Sequence, residues 1–171
     1  MALVGTVRRG LGLAALLAML AACEAPAPPA PGPGPAPAVA ASASLQAAGF
    51  DAGPVRTAAE YLAEPAFASA DPARGQLLSL ACAACHTFGA TQGTLVGPNL
   101  HGVFGRRAGS AEGFDYSPAL AGSGLVWTPV SLDAWLREPT SFVAGTKMAF
   151  TGYKSDADRR DLIAYLLRAT Q

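Results

Sequence analysis

Two cysteines and a histidine lie close together in the middle of the chain, as Cys82-Ala83-Ala84-Cys85-His86. On one turn of helix the two sulfur atoms lie on the same side, at a spacing that lets them add across the two vinyl groups of a haem. The imidazole of His86 then lies beneath the iron. The pattern therefore predicts one covalent haem c, attached through Cys82 and Cys85, with iron ligated by His86.

The Cys-x-x-Cys pair has two other interpretations. A redox disulfide of the thioredoxin type follows a strand in a βαβ pattern, and a structural zinc site needs two more cysteine or histidine ligands at similar spacing. The sequence shows neither feature around Cys82 and Cys85, in a chain with three cysteines and two histidines in total. Haem attachment is therefore the favoured interpretation.

The second axial ligand of a haem c is usually methionine or histidine. Of the three methionines, Met1 and Met19 lie in the predicted signal peptide, which leaves Met148 in a loop between two helical patterns. We predict Met148 as the distal ligand. The alternatives are a core methionine and a bis-histidine centre that uses His101.

The N-terminal region is typical of an exported lipoprotein. Arg8 and Arg9 precede the apolar residues 10 to 22, a run too short for a membrane helix but suited to a signal peptide. The run ends in Leu-Ala-Ala-Cys, which resembles the cleavage box of bacterial lipoproteins. We predict that residues 1 to 22 are removed and that Cys23 carries the lipid. The alternative is an ordinary secretory signal in which Cys23 is incidental.

Residues 24 to 43 include eight alanines and seven prolines. Such a stretch has little to bury, so we expect an extended tether that leans towards polyproline II. Residues 44 to 70 are assigned no function, although Thr57 to Leu62 could form a short helix between two prolines. The sequence divides into residues 1 to 22 (signal peptide), 23 to 70 (lipid-anchored tether and unassigned segment) and 71 to 171 (folded domain).

Four helix signals lie in the folded domain. Helices are predicted to begin at Asp71-Pro72, at Ser117-Pro118, at Ser131 (ending at Pro139) and at Ser155 (running to about Arg168). No useful strand alternation appears, and residues 89 to 109 hold six glycines. The predicted fold class is therefore all-α, with the first and last helices crossing and with loops that wrap the apolar surface of haem.

From about Asp71 to the C terminus the chain resembles class I cytochrome c, the family that includes mitochondrial cytochrome c and soluble bacterial cytochromes. The runs that carry the resemblance are Cys82-Ala-Ala-Cys85-His86-Thr87, Gly97-Pro98-Asn99-Leu100-His101-Gly102, Phe104-Gly105-Arg106, Gly113-Phe114-Asp115-Tyr116, Trp127, Gly145-Thr146-Lys147-Met148 and Asp161-Leu162-Ile163-Ala164-Tyr165-Leu166. The resemblance does not extend to residues 24 to 70. It implies the class I cytochrome c fold around a single haem.

The resemblance also implies roles for four further residues. The carbonyl of Pro98 is expected to accept a hydrogen bond from the imidazole of His86. Arg106, Tyr116 and Trp127 are expected to bind the haem propionates. Without the resemblance, these three residues are more simply interpreted as a surface arginine and core aromatic residues.

The chain departs from the mitochondrial proteins at several positions. Trp135 and Leu120 stand where those proteins have a distal tyrosine and a distal asparagine, so the hydrogen bonds above Met148 are expected to differ. Lysines ring the haem edge in the mitochondrial proteins. At four of these positions this chain has Ala81, Leu95, Thr140 and Ser141, and at two it retains lysine, as Lys147 and Lys154. Binding to redox partners is therefore expected to rely less on charge.

The predicted function is electron transfer between membrane-bound respiratory or photosynthetic complexes, by a six-coordinate iron and without enzymatic chemistry. The alternatives are a small peroxidase-like enzyme that opens a site by losing Met148, and a gas-binding haem module. Residues 71 to 171 carry nine Lys and Arg against eight Asp and Glu, so no basic field indicates nucleic acid as a partner. The donor and the acceptor are not identified by the sequence.

The expected location is the periplasmic side of a bacterial membrane. In bacterial lipoproteins Asp after the acylated cysteine favours the inner membrane, and here the residue is Glu24, which favours the outer one. Respiratory partners lie in the inner membrane. The sequence therefore does not decide between the inner and the outer membrane.

Overall fold

The computed structural model describes residues 50 to 171, so the predicted signal peptide, Cys23 and the tether lie outside the described residues. The helices of the described part are α1 (Ala58–Leu62), α2 (Pro65–Ala68), α3 (Pro72–Ala83), α4 (Pro118–Ala121), α5 (Pro129–Arg137), α6 (Pro139–Phe142) and α7 (Asp156–Ala169). Between residues 50 and 171 the only β pairing is an isolated bridge between Arg107 and Val126. The prediction of an all-α fold is confirmed. In this range no helix has the length and apolar character needed to span a membrane.

Capping side chains begin three of the helices at the predicted positions. Asp71 accepts hydrogen bonds from the amides of Ala73 and Arg74 at 2.9 and 3.0 Å. The hydroxyls of Ser117 and Ser155 likewise accept from amides in the first turns of α4 and α7, both at 3.2 Å. These side chains satisfy amides that the first turn of a helix leaves without a partner.

The predicted start of α5 at Ser131 is wrong by two residues. The helix begins at Pro129, and Thr128 is its N-cap. The Thr128 hydroxyl accepts from the Ser131 amide at 3.2 Å, and the Ser131 hydroxyl accepts from the Thr128 amide at 2.8 Å. Ser131 therefore closes a capping box in a position where Glu or Gln is usual, which made it resemble a cap. Pro139 follows the end of α5 and also begins α6.

Helices α3 and α7 pack against each other at a glycine. A Cβ atom added to Gly75 would lie 2.2 Å from the carbonyl oxygen of Asp161, so the two backbones approach as closely as a glycine allows. Helix α7 contributes the centre of the core, where Leu162, Ile163 and Leu167 are at most 1% exposed. The helix that carries the Cys-His motif is thereby fixed on the most buried element of the molecule.

The segment before residue 71 is part of the packed structure from residue 50 onwards. Helix α1 coincides with the short helix predicted from Thr57 to Leu62, and it begins with a capping box between Thr57 and Glu60. Tyr61 is buried in the core, and α1 and α2 contact α7. The described part of this segment, which the sequence pattern left without a role, thus covers one face of the terminal helix.

Candidate functional site

The two cysteines lie where helix α3 ends. Cys82 occupies its last turn, and the amides of Cys85 and His86 both donate to the Cys82 carbonyl, at 3.0 and 2.9 Å. Both thiols are free of disulfides and half-buried. Burial raises the pKa of the Cys82 thiol to about 11.

The imidazole of His86 is held by the next loop. Its Nδ1 lies 2.7 Å from the carbonyl oxygen of Pro98, and because a carbonyl only accepts, Nδ1 carries the proton. The lone pair of Nε2 is then free to bind a metal. The pKa of His86 is lowered, mainly by burial, while the hydrogen bond to Pro98 acts in the opposite direction. The ring is therefore neutral, the form in which histidine ligates metals.

A glycine forms the wall against which this imidazole packs. A Cβ atom on Gly97 would lie 2.4 Å from Cε1 of His86, which is too close for any side chain at this position. The Gly97 amide donates to the carbonyl of Cys85 at 2.8 Å, which ties the loop to the cysteine motif. The sequence pattern assigns no role to Gly97, although its position directly before Pro98 is a signal for one.

Met148 lies on a loop of residues 143 to 150, the Met148 loop, which follows α6. The Met148 amide donates to the Thr146 hydroxyl at 3.3 Å, and the half-buried side chain packs against the core. Beyond the loop, the Tyr153 hydroxyl donates to the carbonyl of Leu78 in α3 at 2.9 Å. The loop with the predicted distal ligand is thus connected to the helix that leads into the cysteines.

The structure brings together the three residues that the resemblance assigns to the propionates. The Trp127 amide donates to the Arg106 carbonyl at 2.9 Å, so the two segments run side by side. Burial raises the pKa of Tyr116, and the charge of Arg106 opposes that shift. The pKa of Arg106 is itself lowered by burial. Arg106 also donates to the backbone carbonyls of Asn99 and His101, at 3.0 and 2.9 Å.

His101, the alternative ligand, lies three residues after Pro98. Its amide donates to the Asn99 side chain at 2.7 Å, and the amide of Gly102 donates to the Thr170 carbonyl at 2.6 Å. His101 therefore lies beside the end of α7. Its buried Nδ1 has no hydrogen-bond partner among residues 50 to 171.

The two predicted departures above Met148 are buried apolar side chains. Trp135 is 4% exposed, and its ring meets that of Trp127 edge to face with centroids 5.5 Å apart. Leu120 is also buried. Both positions therefore contribute apolar packing.

The donor set fits a haem c. The two thiols are uncrosslinked, Nε2 of His86 is free, and apolar side chains on the flanking segments are half-buried, namely Phe88, Leu100, Phe104, Met148 and Phe150. Residues 50 to 171 hold no group of three or more His, Cys, Asp or Glu side chains placed to bind a metal ion. The cysteine pair therefore lacks the further ligands that a structural zinc site needs.

Comparison with known proteins agrees with this site. A family model described as cytochrome c matches residues 72–170. The chain is 45% identical to cytochrome c of Stellaria longipes over 106 residues, which are 61% of this chain and 98% of the relative. It is 45% identical to cytochrome c2 of Rhodomicrobium vannielii (62% of this chain, 83% of the relative) and 47% identical to cytochrome c2 of Rhodoblastus acidophilus (56% and 90%). The chain therefore belongs to the cytochrome c family, as a monohaem electron carrier with a covalent haem c and not as an enzyme.

Proposed function

We propose that this cytochrome c is anchored to a bacterial membrane on its periplasmic side, and that it carries single electrons between membrane-bound redox complexes through a haem ligated by His86 and Met148. The main support for ligation of the iron by His86 is the 2.7 Å hydrogen bond between its imidazole and the carbonyl of Pro98. It leaves Nε2 free on the residue that directly follows Cys85, which together with Cys82 provides the two thioether links.

The side chains keep the ligation constant in both oxidation states. Pro98 holds the proton on Nδ1 of His86, so the imidazole has one orientation and one tautomer. Met148 would provide a neutral thioether as the second ligand. The iron of the bound haem supplies a reversible one-electron couple, which a Met/His pair biases towards positive potential. Arg106 provides a cation for the haem carboxylates.

The surface near the cysteine motif is suited to a largely uncharged partner. Leu80, which lies two residues before Cys82, is 61% exposed, and Leu95 and Val96, beside the loop that Gly97 ties to the motif, are 56% and 79% exposed. The two lysines that are retained from the ring at the haem edge are each paired with a carboxylate. Lys147 lies 2.5 Å from a carboxylate oxygen of Asp115, and Lys154 lies 3.3 Å from one of Glu138. Partner docking therefore uses apolar contact more than charge.

The anchor belongs to the part of the chain before residue 50. Cys23 carries the lipid, and the twenty residues from 24 to 43 reach about 60 Å when extended at ~3.1 Å each. That reach lets one anchored domain meet two membrane complexes. Each complex then experiences a high effective concentration of the cytochrome, so weak docking suffices.

Two variants of the full-length chain test the anchor and the tether. Cys23→Ser should release a haem-containing protein into the soluble fraction, whereas recovery only in membranes would argue for an uncleaved N-terminal anchor. Deleting residues 25 to 43 should leave the haem spectrum, the potential and reduction by small soluble reductants unchanged, and should slow turnover between membrane partners. A turnover rate that is flat down to a few tether residues would exclude the shuttle role of the tether.

A further inference from the structure

The described chain begins with a segment that contacts the base of the Met148 loop. The ring of Phe50 meets that of Phe142 edge to face, with centroids 5.0 Å apart and an interplanar angle of 72°. Phe142 is the last residue of α6, directly before the Met148 loop. Residues 50 to 56, here called the brace, lie before residues 72–170, which match the family model. The brace therefore lies outside the matched domain.

The middle of the brace is bound to the start of α5. The Thr128 hydroxyl donates to the carbonyl of Ala52 at 2.5 Å, and the same oxygen accepts from the Ser131 amide as the N-cap of α5. Thr128 is 1% exposed and directly follows Trp127. Because a buried hydroxyl that loses its acceptor is costly, this bond fixes the backbone of the brace on the domain.

The far end of the brace is bound to helix α1. The Tyr61 hydroxyl donates to the Pro54 carbonyl at 2.7 Å and accepts from the Arg56 amide at 3.1 Å. Tyr61 is 5% exposed within the core. Both ends of the segment between Phe50 and α1 are therefore attached to the body of the protein, so the Phe50 ring rests on a fixed support.

Both ends of the Met148 loop are bonded to neighbouring helices. At its start, the buried Val143 donates its amide to Pro139 in α6 and accepts from the Thr146 amide at 3.1 Å. After its end, the Tyr153 amide donates to the Leu136 carbonyl at 2.8 Å. Between these points Lys147 pairs with Asp115 and the Met148 amide makes a local hydrogen bond to Thr146. The placement of α6 therefore sets the start of the loop that carries the thioether.

We propose that the brace positions Met148: by holding α6 through Phe50, it sets how readily the sixth coordination position opens. The proposal rests on the proposed function, since it requires Met148 as the distal ligand. Phe50 is a positioning residue and acts through Phe142 and the Met148 loop. Loss of the brace contact lets the loop move away from the haem more often, and an added ligand then takes its place more easily.

Imidazole titration of the ferric holoprotein measures this opening. Phe50→Ala should raise the affinity for imidazole about tenfold, a change of about 1.4 kcal/mol in the opening equilibrium. Phe50→Leu keeps part of the apolar contact and should give an intermediate value. Phe67→Ala is the matched control, because Phe67 is also a half-buried phenylalanine of the N-terminal segment but belongs to α2, which contacts α7. It should lower the denaturant midpoint and leave the imidazole affinity unchanged.

The outcomes distinguish the brace from the ligand assignment. Met148→Ala should raise imidazole affinity more than either Phe50 variant. If it does not, Met148 is not the ligand and the proposed function fails at that point. If Met148→Ala raises the affinity for imidazole but Phe50→Ala does not, the proposed role of the brace is wrong, while the assignment of Met148 as a ligand is retained. Equal increases in the Phe50→Ala and Phe67→Ala proteins would also overturn the brace, because the effect would then follow overall stability.

Discussion

The segments that contain His86 and Met148 are held by contacts that differ in their separation along the chain. The imidazole of His86 bonds to Pro98, twelve residues away, and the same loop is tied to Cys85. The Met148 loop is bounded by bonds to Pro139 and Leu136, and Phe142 at its base also contacts Phe50, 92 residues before it in the chain. The proximal contact thus lies within neighbouring sequence, whereas the distal side also needs a distant segment to pack. The distal side should therefore open first when the protein is perturbed.

The largest expected effect comes from a buried arginine after the Met148 loop. The guanidinium of Arg159, 1% exposed, donates to the carbonyls of Tyr153 and Lys154 at 2.8 and 3.0 Å and to Asp133 at 2.7 Å. Arg159→Ala should lower the free energy of unfolding by about 3 kcal/mol, since it leaves these acceptors without their donor. Arg137→Ala is the control, because Arg137 contacts the same aspartate from an exposed position. Denaturant unfolding measures both variants, and equal losses would show that burial of Arg159 does not determine its contribution to stability.

The proximal side can be disturbed by one methyl group. Gly97→Ala places a Cβ atom 2.4 Å from the His86 ring, so the ring or the loop must move. We expect a loss of about 2 kcal/mol in unfolding free energy and a lower yield of holoprotein. Gly93→Ala, in the same loop, adds a methyl group with nothing within 4 Å and is the control. A Gly97→Ala protein with normal stability and spectrum would show that the His86 ring is less confined than its contacts indicate.

A glycine in the Met148 loop should have a smaller effect. Gly145 has φ +87°, and a Cβ there would lie 3.4 Å from that of Ala119, an ordinary contact. Gly145→Ala should therefore cost about 1 kcal/mol through backbone strain alone. If the distal side opens without unfolding of the rest of the protein, the affinity for imidazole should rise. The unfolding midpoint, measured by circular dichroism, should then fall only slightly. A loss of stability as large as that of Gly97→Ala would remove the distinction between the two sides.

Salt should have the smallest effect. Lys147 and Lys154 lie near the distal side, and each is paired with a carboxylate. The rate of electron transfer to a membrane partner should then change by less than about threefold between roughly 50 and 500 mM salt. Stopped-flow kinetics with an isolated partner complex measures this rate. A steep loss of rate with salt would show that unpaired charges dominate docking.

The parts of the structure that sequence predicted are those with local causes. The starts of α3, α4 and α7 follow from a capping side chain within three residues of the amides it serves. The Cys82 to His86 motif can likewise be recognised in the sequence, because its residues lie within about one helical turn of each other. Ser131 was misassigned for a local reason as well, since a serine at the N3 position has the same chemistry as one at the cap.

The parts that sequence could not predict depend on partners far away in the chain. The contact of Phe50 with Phe142, the bond from Thr128 to Ala52 and the bond from Tyr153 to Leu78 each join positions more than 70 residues apart. No periodicity or cap marks such pairs. The sequence pattern therefore assigns no role to residues 50 to 70, because their contacts are tertiary.

Paired variants of Met148 and His101 test the identity of the distal ligand directly. Met148→Ala should keep the haem attached, turn the ferric spectrum high-spin or bring in a substitute ligand, and lower the potential by a sizeable part of the roughly 0.8 V that axial ligands span. His101→Ala should leave the spectrum and the potential unchanged. An unchanged ferric spectrum in Met148→Ala together with a high-spin spectrum in His101→Ala would contradict the account.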